Sequence, residues 1–229
     1  MTARPLRPSA ALWPAALWLS AGVLWFVLEG IAASAFPRYS YATNYISDLG
    51  VTVPGVVDGR IIYSPLAGVM NADFVIHGIL FLAAAVLVAR AAKSGWMRWL
   101  FLALAAAHAV GLVLVATFHS SAEAQSDGTI GIHVLGANLA IIGGNLTLIV
   151  AGLGAGRLGA TRGFRVFSVA WGVIGLAGIA MLFADTHSAW NLLPDGFWER
   201  IGVYPMMTWE IVTAFLVIVD LMLGRPPRR

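Results

Sequence analysis

The sequence predicts an all-α membrane bundle of six transmembrane helices, and three observations lead to that fold class. First, 59% of the 229 residues are hydrophobic and only 11% are charged, whereas soluble domains carry roughly 25% charged residues. Second, six apolar stretches approach or exceed the ~20 residues that a helix needs to cross a bilayer. Third, basic residues alternate in abundance between the two ends of these stretches. Lipid is therefore the expected solvent of this chain.

The six predicted helices follow one another along the whole chain, at 12–35, 73–92, 99–118, 130–154, 164–185 and 203–223. We interpret residues 1–229 as one transmembrane domain, in which an ordered outward loop at about 36–72 is the only long connection. The first apolar run is longer than the ~7–15 residues of a secretory signal core. We therefore expect a retained helix at this position rather than a cleaved signal.

The basic residues predict the orientation of the bundle. Arg38, Arg60 and Arg200 fall at one end of the predicted helices. The other eleven of the 14 fall at the opposite end, namely Arg4, Arg7, Arg90, Lys93, Arg98, Arg157, Arg162, Arg165, Arg225, Arg228 and Arg229. Lys and Arg are enriched in the cytoplasmic loops of membrane proteins. We thus expect cytoplasmic termini, with loops 36–72, 119–129 and 186–202 outside the plasma membrane.

Several classes of protein are excluded or disfavoured by composition. The chain has no cysteine, which rules out disulfides, thiolate metal sites and a cysteine nucleophile. No basic stripe on a soluble domain indicates a nucleic-acid partner. An ATP-binding motif, an arginine ladder and a potassium-type selectivity filter are also missing from the sequence. Membrane lipid is the expected partner, and the sequence leaves the oligomeric state open.

One pair of ionisable residues has the spacing of a catalytic or proton-transfer unit. Asp73 and His77 are four residues apart, so on a helix they share a face. A carboxylate in this position would orient the imidazole for proton transfer, or would only satisfy free N–H groups at a helix N-terminus. Together with Asp48 in the first outward loop, these residues are our candidate catalytic groups.

Three histidines at three predicted outer helix ends form a candidate metal site. His119, His133 and His187 would supply the nitrogen ligands that zinc takes in proteins. Their spacing matches no His-x-x-x-His or HExxH pattern, and each residue alone is also typical of a hydrated helix end. Zinc is accordingly a possible cofactor, and a metal-dependent hydrolase acting on lipid is one functional hypothesis.

A second hypothesis, which we favour at this stage, is an outward-facing polar pocket that binds a lipid headgroup or a small polar ligand. The candidate ligand-binding residues are Asn44, Ser47, Asp48, His133, Asp185 and Glu210. A third hypothesis is a proton-coupled carrier in which Glu29, His108 and Glu210 form a relay. Ionisable residues inside apolar segments are costly, on the order of 3 kcal/mol at mid-bilayer, and commonly mark a function.

A short string in the first outward loop resembles a known family. Residues 44–50 read Asn-Tyr-Ile-Ser-Asp-Leu-Gly directly after the first predicted helix. In a six-helix chain of this length, the string is similar to that of the integral membrane family called domain of unknown function 998. The resemblance implies the six-helix architecture, and His133 is similar to the family's histidine at the start of helix four. It implies no particular reaction.

Overall fold

The computed structural model describes residues 8–57, 59–92, 94–188 and 192–224. The helices are α1 Pro8–Ala35, α2 Ala67–Ala91, α3 Trp96–Thr117, α4 Ala122–Asp127, α5 Ile130–Gly154, α6 Arg162–His187 and α7 Asp195–Met222. Apart from the short α4, each is long and apolar enough to cross a membrane. The predicted six-helix fold is thereby confirmed. The basic residues Arg4, Arg7, Lys93, Arg225, Arg228 and Arg229, which support the predicted orientation, lie outside the described residues.

Two helices begin much earlier than the apolar pattern predicted. Helix α2 starts at Ala67 instead of residue 73, and α7 starts at Asp195 instead of residue 203. The apolar pattern missed these turns because they contain residues that favour loops, namely Gly68 and Asn71 in α2 and Asp195 and Gly196 in α7. Asp195 is nevertheless favourable in the first turn of α7, since it faces the positive end of the helix dipole. The connections shorten to 36–66 and 188–194, Asp73 moves from the start of the predicted helix into the interior of α2, and Arg200 becomes helical.

The six long helices pack as a closed ring. Neighbouring contacts run α1–α2–α3–α5–α6–α7, and α7 returns to α1. Tryptophan side chains lie both in the core and on the outside of the ring. Trp18 and Trp209 are buried and meet edge to face at 5.0 Å, whereas Trp13, Trp96 and Trp99 are exposed as a belt requires.

Small residues allow the helices of the ring to approach closely. A Cβ added at Gly178 would come within 2.6 Å of the Gly202 amide nitrogen, and one at Gly172 within 2.5 Å of the Asn145 carbonyl oxygen. Asn145 also ties α5 to α7, because its side-chain amide donates to the Gly202 carbonyl at 2.8 Å. Close helix packing at glycines is typical of membrane bundles.

The connection between α1 and α2, residues 36–66, folds over one end of the ring. It contains a 3-10 helix, Ser47–Gly50, and a hairpin of strands β1 Gly55–Val57 and β2 Arg60–Ile62, in which Val56 faces Ile61. Three of its own apolar side chains, Ile46, Leu49 and Ile62, are buried. We call residues 36–66 the lid and this end of the bundle the lid end. The opposite end, with the connections 92–95 and 155–161, is the basic end.

Candidate functional site

Asp48 is the central polar residue of the lid. Its Oδ2 atom accepts hydrogen bonds from Asn44 Nδ2 at 3.0 Å, from the Tyr45 backbone N–H at 3.1 Å and from Arg60 Nε at 3.3 Å. Burial raises the pKa of Asp48, and the Arg60 charge and these hydrogen bonds oppose that rise. Ser47 begins the 3-10 helix and is partly exposed. Asp48 thus holds the turn of the lid together.

The backbone of the lid lies directly on α2. Asn71 Nδ2 of α2 donates to the Gly50 carbonyl at 2.8 Å, and within the lid Ser64 Oγ donates to the neighbouring Leu49 carbonyl at 2.6 Å. A Cβ added at Gly50 would overlap the side-chain oxygen of Asn71. The glycine of the Ser-Asp-Leu-Gly string is therefore required by close approach to α2.

The lid is also fastened to the first two turns of α7. The Tyr45 hydroxyl donates to Asp195 Oδ2 at 3.0 Å, the Ile46 backbone N–H donates to Glu199, and the Phe197 N–H donates to the Ala42 carbonyl at 2.9 Å. Burial raises the pKa of the Tyr45 hydroxyl, and the nearby Asp195 carboxylate acts in the same direction. These contacts exist only because α7 begins at Asp195.

Arg200 uses all five of its side-chain N–H groups at this junction. Two go to the carbonyls of Asn44 and Gly196, at 2.8 and 3.0 Å. The others go to Glu29 Oε1 at 3.1 Å, to the Tyr204 hydroxyl at 3.1 Å and to the Tyr39 hydroxyl. The Tyr204 hydroxyl in turn donates to Glu29 at 3.0 Å. A buried ion pair with this many hydrogen bonds is the arrangement that offsets desolvation.

Beneath the lid lies a second group of ionisable side chains with a different character, which we call the acid–imidazole cluster. It consists of Asp73 and His77 on α2, His108 on α3 and Glu210 on α7, and all four are fully buried. His77 Nε2 lies 3.3 Å from Glu210 Oε1. The rings of His77 and His108 meet edge to face at 5.4 Å, and Asp73 is close enough to Glu210 for their charges to interact.

The cluster is poorly supplied with hydrogen bonds. Both carboxylate oxygens of Asp73 and of Glu210 find no hydrogen-bond partner within the described parts of the chain. The ring nitrogens of His77 also lack a partner with full hydrogen-bond geometry there, although the Ala21 backbone interacts with the ring. The short contact between His77 and Glu210 lacks hydrogen-bond geometry. His108 Nδ1 donates to the Ala140 carbonyl at 2.7 Å, which leaves Nε2 without a partner among the same residues. Because most buried polar atoms are satisfied, such a concentration requires an explanation.

Aromatic side chains pack against the imidazoles of the cluster. The Trp25 ring packs edge to face on His77 at 5.0 Å, and its Nε1 donates to Glu29 Oε2 at 3.2 Å. Phe81 contacts the rings of both His77 and His108. Glu29 therefore belongs to the Arg200 junction rather than to a direct relay with His108 and Glu210, although the Trp25 side chain connects the two regions.

A family model described as "Protein of unknown function (DUF998)" matches residues 19–216. The chain belongs to this family. The matched range contains the lid, the Arg200 junction and the acid–imidazole cluster, so all of these features lie within the family's region. Comparisons with curated proteins and with solved structures found no match.

In this DUF998 chain, the three histidines of the predicted zinc site have separate partners. His119 contacts Thr52 and Asn71 of the lid and α2. His133 Nδ1 donates to the Phe118 carbonyl at 2.7 Å, and His187 stacks on the Phe183 ring at 4.1 Å between centroids. Among the residues that the structure describes, no group of three or more His, Asp or Glu has an arrangement that would hold a metal ion.

The residues of the predicted outward pocket are likewise distributed over several places. Asn44 and Asp48 are adjacent in the lid, and Glu210 lies in the cluster on α7. Asp185 accepts from Trp198 Nε1 at 2.7 Å and joins the end of α6 to α7. Asp73 and Asp185 lie at the ends of the predicted helices 73–92 and 164–185, yet both are buried. Helix α2 extends beyond Asp73, and Trp198 in the early part of α7 contacts Asp185.

At the basic end, an apolar cavity of about 210 Å³ opens in the centre of the ring. All six long helices contribute to its wall, which includes Phe101, Trp209 and Thr213. Thr213 in this wall lies one helical turn from Glu210 along α7, while the side chains of the acid–imidazole cluster are not among the described lining residues. The lid end and the basic end thus differ: one is covered by a hydrogen-bonded loop, and the other is open.

Sequence reasoning did not identify the partners that organise the site. Arg60 and Arg200 were counted only as basic residues, and Tyr39 was not singled out. One signal was present in the sequence: Arg200 and Tyr204 have the spacing of one helical turn directly before an apolar run. An arginine that enters a membrane helix needs a partner, and that rule pointed to a buried carboxylate such as Glu29.

Proposed function

We propose that this chain is a proton-coupled membrane carrier, in which Asp73, His77 and Glu210 bind and release the coupled proton. The observation that carries the proposal is the set of buried polar atoms on these three side chains that have no hydrogen-bond partner among the described residues. This centre differs from the relay of Glu29, His108 and Glu210 expected from sequence, since Asp73 and His77 take the places of Glu29 and His108.

Burial of the cluster favours proton binding. An ionised carboxylate without donors is strongly disfavoured in an apolar interior, and such a group is commonly neutralised by a proton. Two carboxyl groups and a nearby imidazole provide alternative positions for that proton, since His77 Nε2 and Glu210 Oε1 are only 3.3 Å apart. Ionisable residues of this kind inside transmembrane helices are typical of proton relays in transporters.

Access to the cluster supports a carrier in particular. The lid and the Arg200 junction cover one end of the bundle, while the cavity at the basic end reaches Thr213, one turn from Glu210. Alternating access requires a centre that is reached from one side at a time. By the positive-inside rule, the basic end would face the cytoplasm, and the proposal therefore treats this conformation as inward-open.

The two other functional hypotheses receive less support from the geometry. A metal-dependent hydrolase would need His119, His133 and His187 to converge, and each contacts a different partner. An outward pocket for a lipid headgroup would need Asp48, Asp185 and Glu210 to share a cavity. Instead they lie in the lid, at the end of α6 and in the middle of α7.

Proton movement in proteoliposomes would test the proposal. With a pH-sensitive dye inside the vesicles and an imposed potassium diffusion potential, we expect the wild-type protein to acidify or alkalinise the lumen according to the sign of the potential. Glu210→Gln removes the exchangeable proton and should abolish this movement. Glu123→Gln, on the exposed face of α4, is the matched control and should behave as wild type.

Infrared spectroscopy supplies an independent readout that does not depend on transport. Protonated buried carboxyl groups absorb separately from carboxylates, and we expect such a band in wild-type protein at neutral pH. The band should weaken in Asp73→Asn and in Glu210→Gln. Absence of the band in wild-type protein, together with no proton movement, would rule out the proposed proton-binding role.

A further inference from the structure

The cavity at the basic end is enclosed mainly by apolar and aromatic side chains. Trp18, Phe101, Phe164 and Trp209 form much of its wall, and alanine and valine residues complete it. Its volume of about 210 Å³ is below the roughly 300–1,000 Å³ of pockets for drug-sized ligands. It exceeds the ~150 Å³ of an engineered cavity that binds benzene. The space is therefore suited to a short alkyl chain or a single ring.

Three polar groups interrupt this apolar wall. Arg98 lies toward the open end, and its buried Nε has no hydrogen-bond partner among the described residues. Trp18 Nε1 and Thr213 Oγ1, on side chains that are only 5% exposed, are also without a partner in that part of the structure. All three groups can donate a hydrogen bond. A ligand with oxygen acceptors would satisfy donors that the protein leaves unused.

The charge of the cavity wall has one sign. Arg98 is the charged residue among the described lining residues, and neither aspartate nor glutamate lines the cavity there. The guanidinium also lies 5.2 Å from the centre of the Trp99 ring, which holds the positive charge at the opening. Because guanidinium binds carboxylates in a bidentate manner, the cavity combines an apolar body with a carboxylate-binding mouth.

We propose that this cavity binds a small apolar monocarboxylate, with its hydrocarbon part between the aromatic walls and its carboxylate at Arg98. This names the substrate class of the proposed carrier and rests on that proposal for its role in transport. The link to transport comes from Thr213, which lines the cavity and lies one helical turn from Glu210 along α7. A weak acid and a proton would then share one route through the ring.

Binding of radiolabelled octanoate to the protein in lipid nanodiscs would test this site. We expect saturable binding by wild-type protein above that of empty nanodiscs, and at least a tenfold loss of affinity in Arg98→Gln. Arg162→Gln, an exposed basic residue at the same end, should bind as wild type. Val150→Phe, which fills the cavity from α5, should block both octanoate and its neutral analogue octanol. Each variant is first matched to wild type in unfolding temperature.

The outcomes separate this inference from the proton-binding proposal. Glu210→Gln should retain octanoate binding while it loses proton movement. Octanoate binding that is unchanged in both Arg98→Gln and Val150→Phe would show partition into lipid and overturn the inference. No saturable binding by wild-type protein would overturn it as well, and a persistent carboxyl band in the infrared spectrum would then leave the proton-binding cluster intact.

Discussion

The Arg200 junction and the acid–imidazole cluster both bury charged residue types, and they differ in how those groups are satisfied. At the junction, Arg200 places five N–H groups on five acceptors, and Glu29 accepts from three donors. In the cluster, neither Asp73 nor Glu210 receives a hydrogen bond from the described residues. A satisfied buried network fixes one arrangement of the chain, whereas an unsatisfied one can exchange protons.

The difference indicates that the Arg200 junction stabilises the bundle, whereas the acid–imidazole cluster serves the proposed proton binding. Contacts of Arg200 join α1, the lid and α7, which are distant in sequence but adjacent in the ring. The cluster lowers stability, because removal of its charges would relieve desolvation. Proteins commonly retain such groups where activity requires them. Mutation of the Arg200 junction should accordingly lower stability. Mutation of the acid–imidazole cluster should remove proton binding without lowering stability.

The largest effect is expected from Arg200→Met. Removal of the guanidinium leaves Glu29 buried without its charge partner, which typically costs about 3–5 kcal/mol. Thermal unfolding in detergent would measure the loss. Arg200→Lys should recover little, since an ammonium cannot reach the same five acceptors. Arg162→Met, on an exposed residue, should change stability by less than about 0.5 kcal/mol, and an equal effect of both variants would contradict the assigned role of the junction.

A smaller loss is expected at the contact between the lid and α2. Gly50→Ala inserts a methyl group against the Asn71 side chain, and overpacking of this kind costs about 1–3 kcal/mol. The double variant Gly50→Ala/Asn71→Ala should be more stable than Gly50→Ala alone, because the obstructing amide is gone. Gly68→Ala is the control, since a Cβ there meets open space. Its unfolding temperature should equal or exceed that of wild type.

The opposite sign is expected in the cluster. Glu210→Gln removes a buried carboxylate that has no donor among the described residues, so stability should stay the same or rise by about 1 kcal/mol. The measurement is again the unfolding temperature, compared with Glu29→Gln at the junction, which should be destabilised. A marked loss of stability in Glu210→Gln would show that the carboxylate is satisfied after all and would weaken the contrast.

The smallest effect concerns pH at the lid. The raised pKa of Asp48 means that its contribution to stability is complete below the ordinary value of 3.8 and is lost as pH rises through the folded pKa. Asp48→Asn should therefore gain stability relative to wild type as pH increases from about 4 toward neutrality. Unfolding temperatures of the two proteins across this range would test the sign.

Asp127 provides the matched comparison for that pH series. Hydrogen bonds from Thr129 lower the pKa of its exposed carboxylate, so its contribution is present above 3.8 and is lost as pH falls through the folded pKa. Asp127→Asn should accordingly lose stability relative to wild type as pH rises past about 4. The same sign for Asp48→Asn and Asp127→Asn would contradict the burial of Asp48.

Some features of the site could be predicted from sequence because they are local. The four-residue spacing of Asp73 and His77 defines a shared helical face wherever the helix lies. The turn at the Ser-Asp-Leu-Gly string is local as well, because Asp48 accepts from the Tyr45 backbone N–H three residues earlier, within a 3-10 helix that ends at Gly50. The metal and outward-pocket hypotheses combined residues from different helix ends, and these remain predictions that the placement of the side chains does not favour.

By itself, the sequence determined that the chain forms six membrane-spanning helices and which ends carry the basic residues. Both are consequences of length and hydrophobicity, which are read along one segment at a time. Only the tertiary structure decided that Glu29 meets Arg200, 171 positions away, and that His77 meets Glu210. A helix that is apolar all round carries little information about which face turns inward. Helix rotation is set by packing between segments, and it is rotation that brings these side chains together.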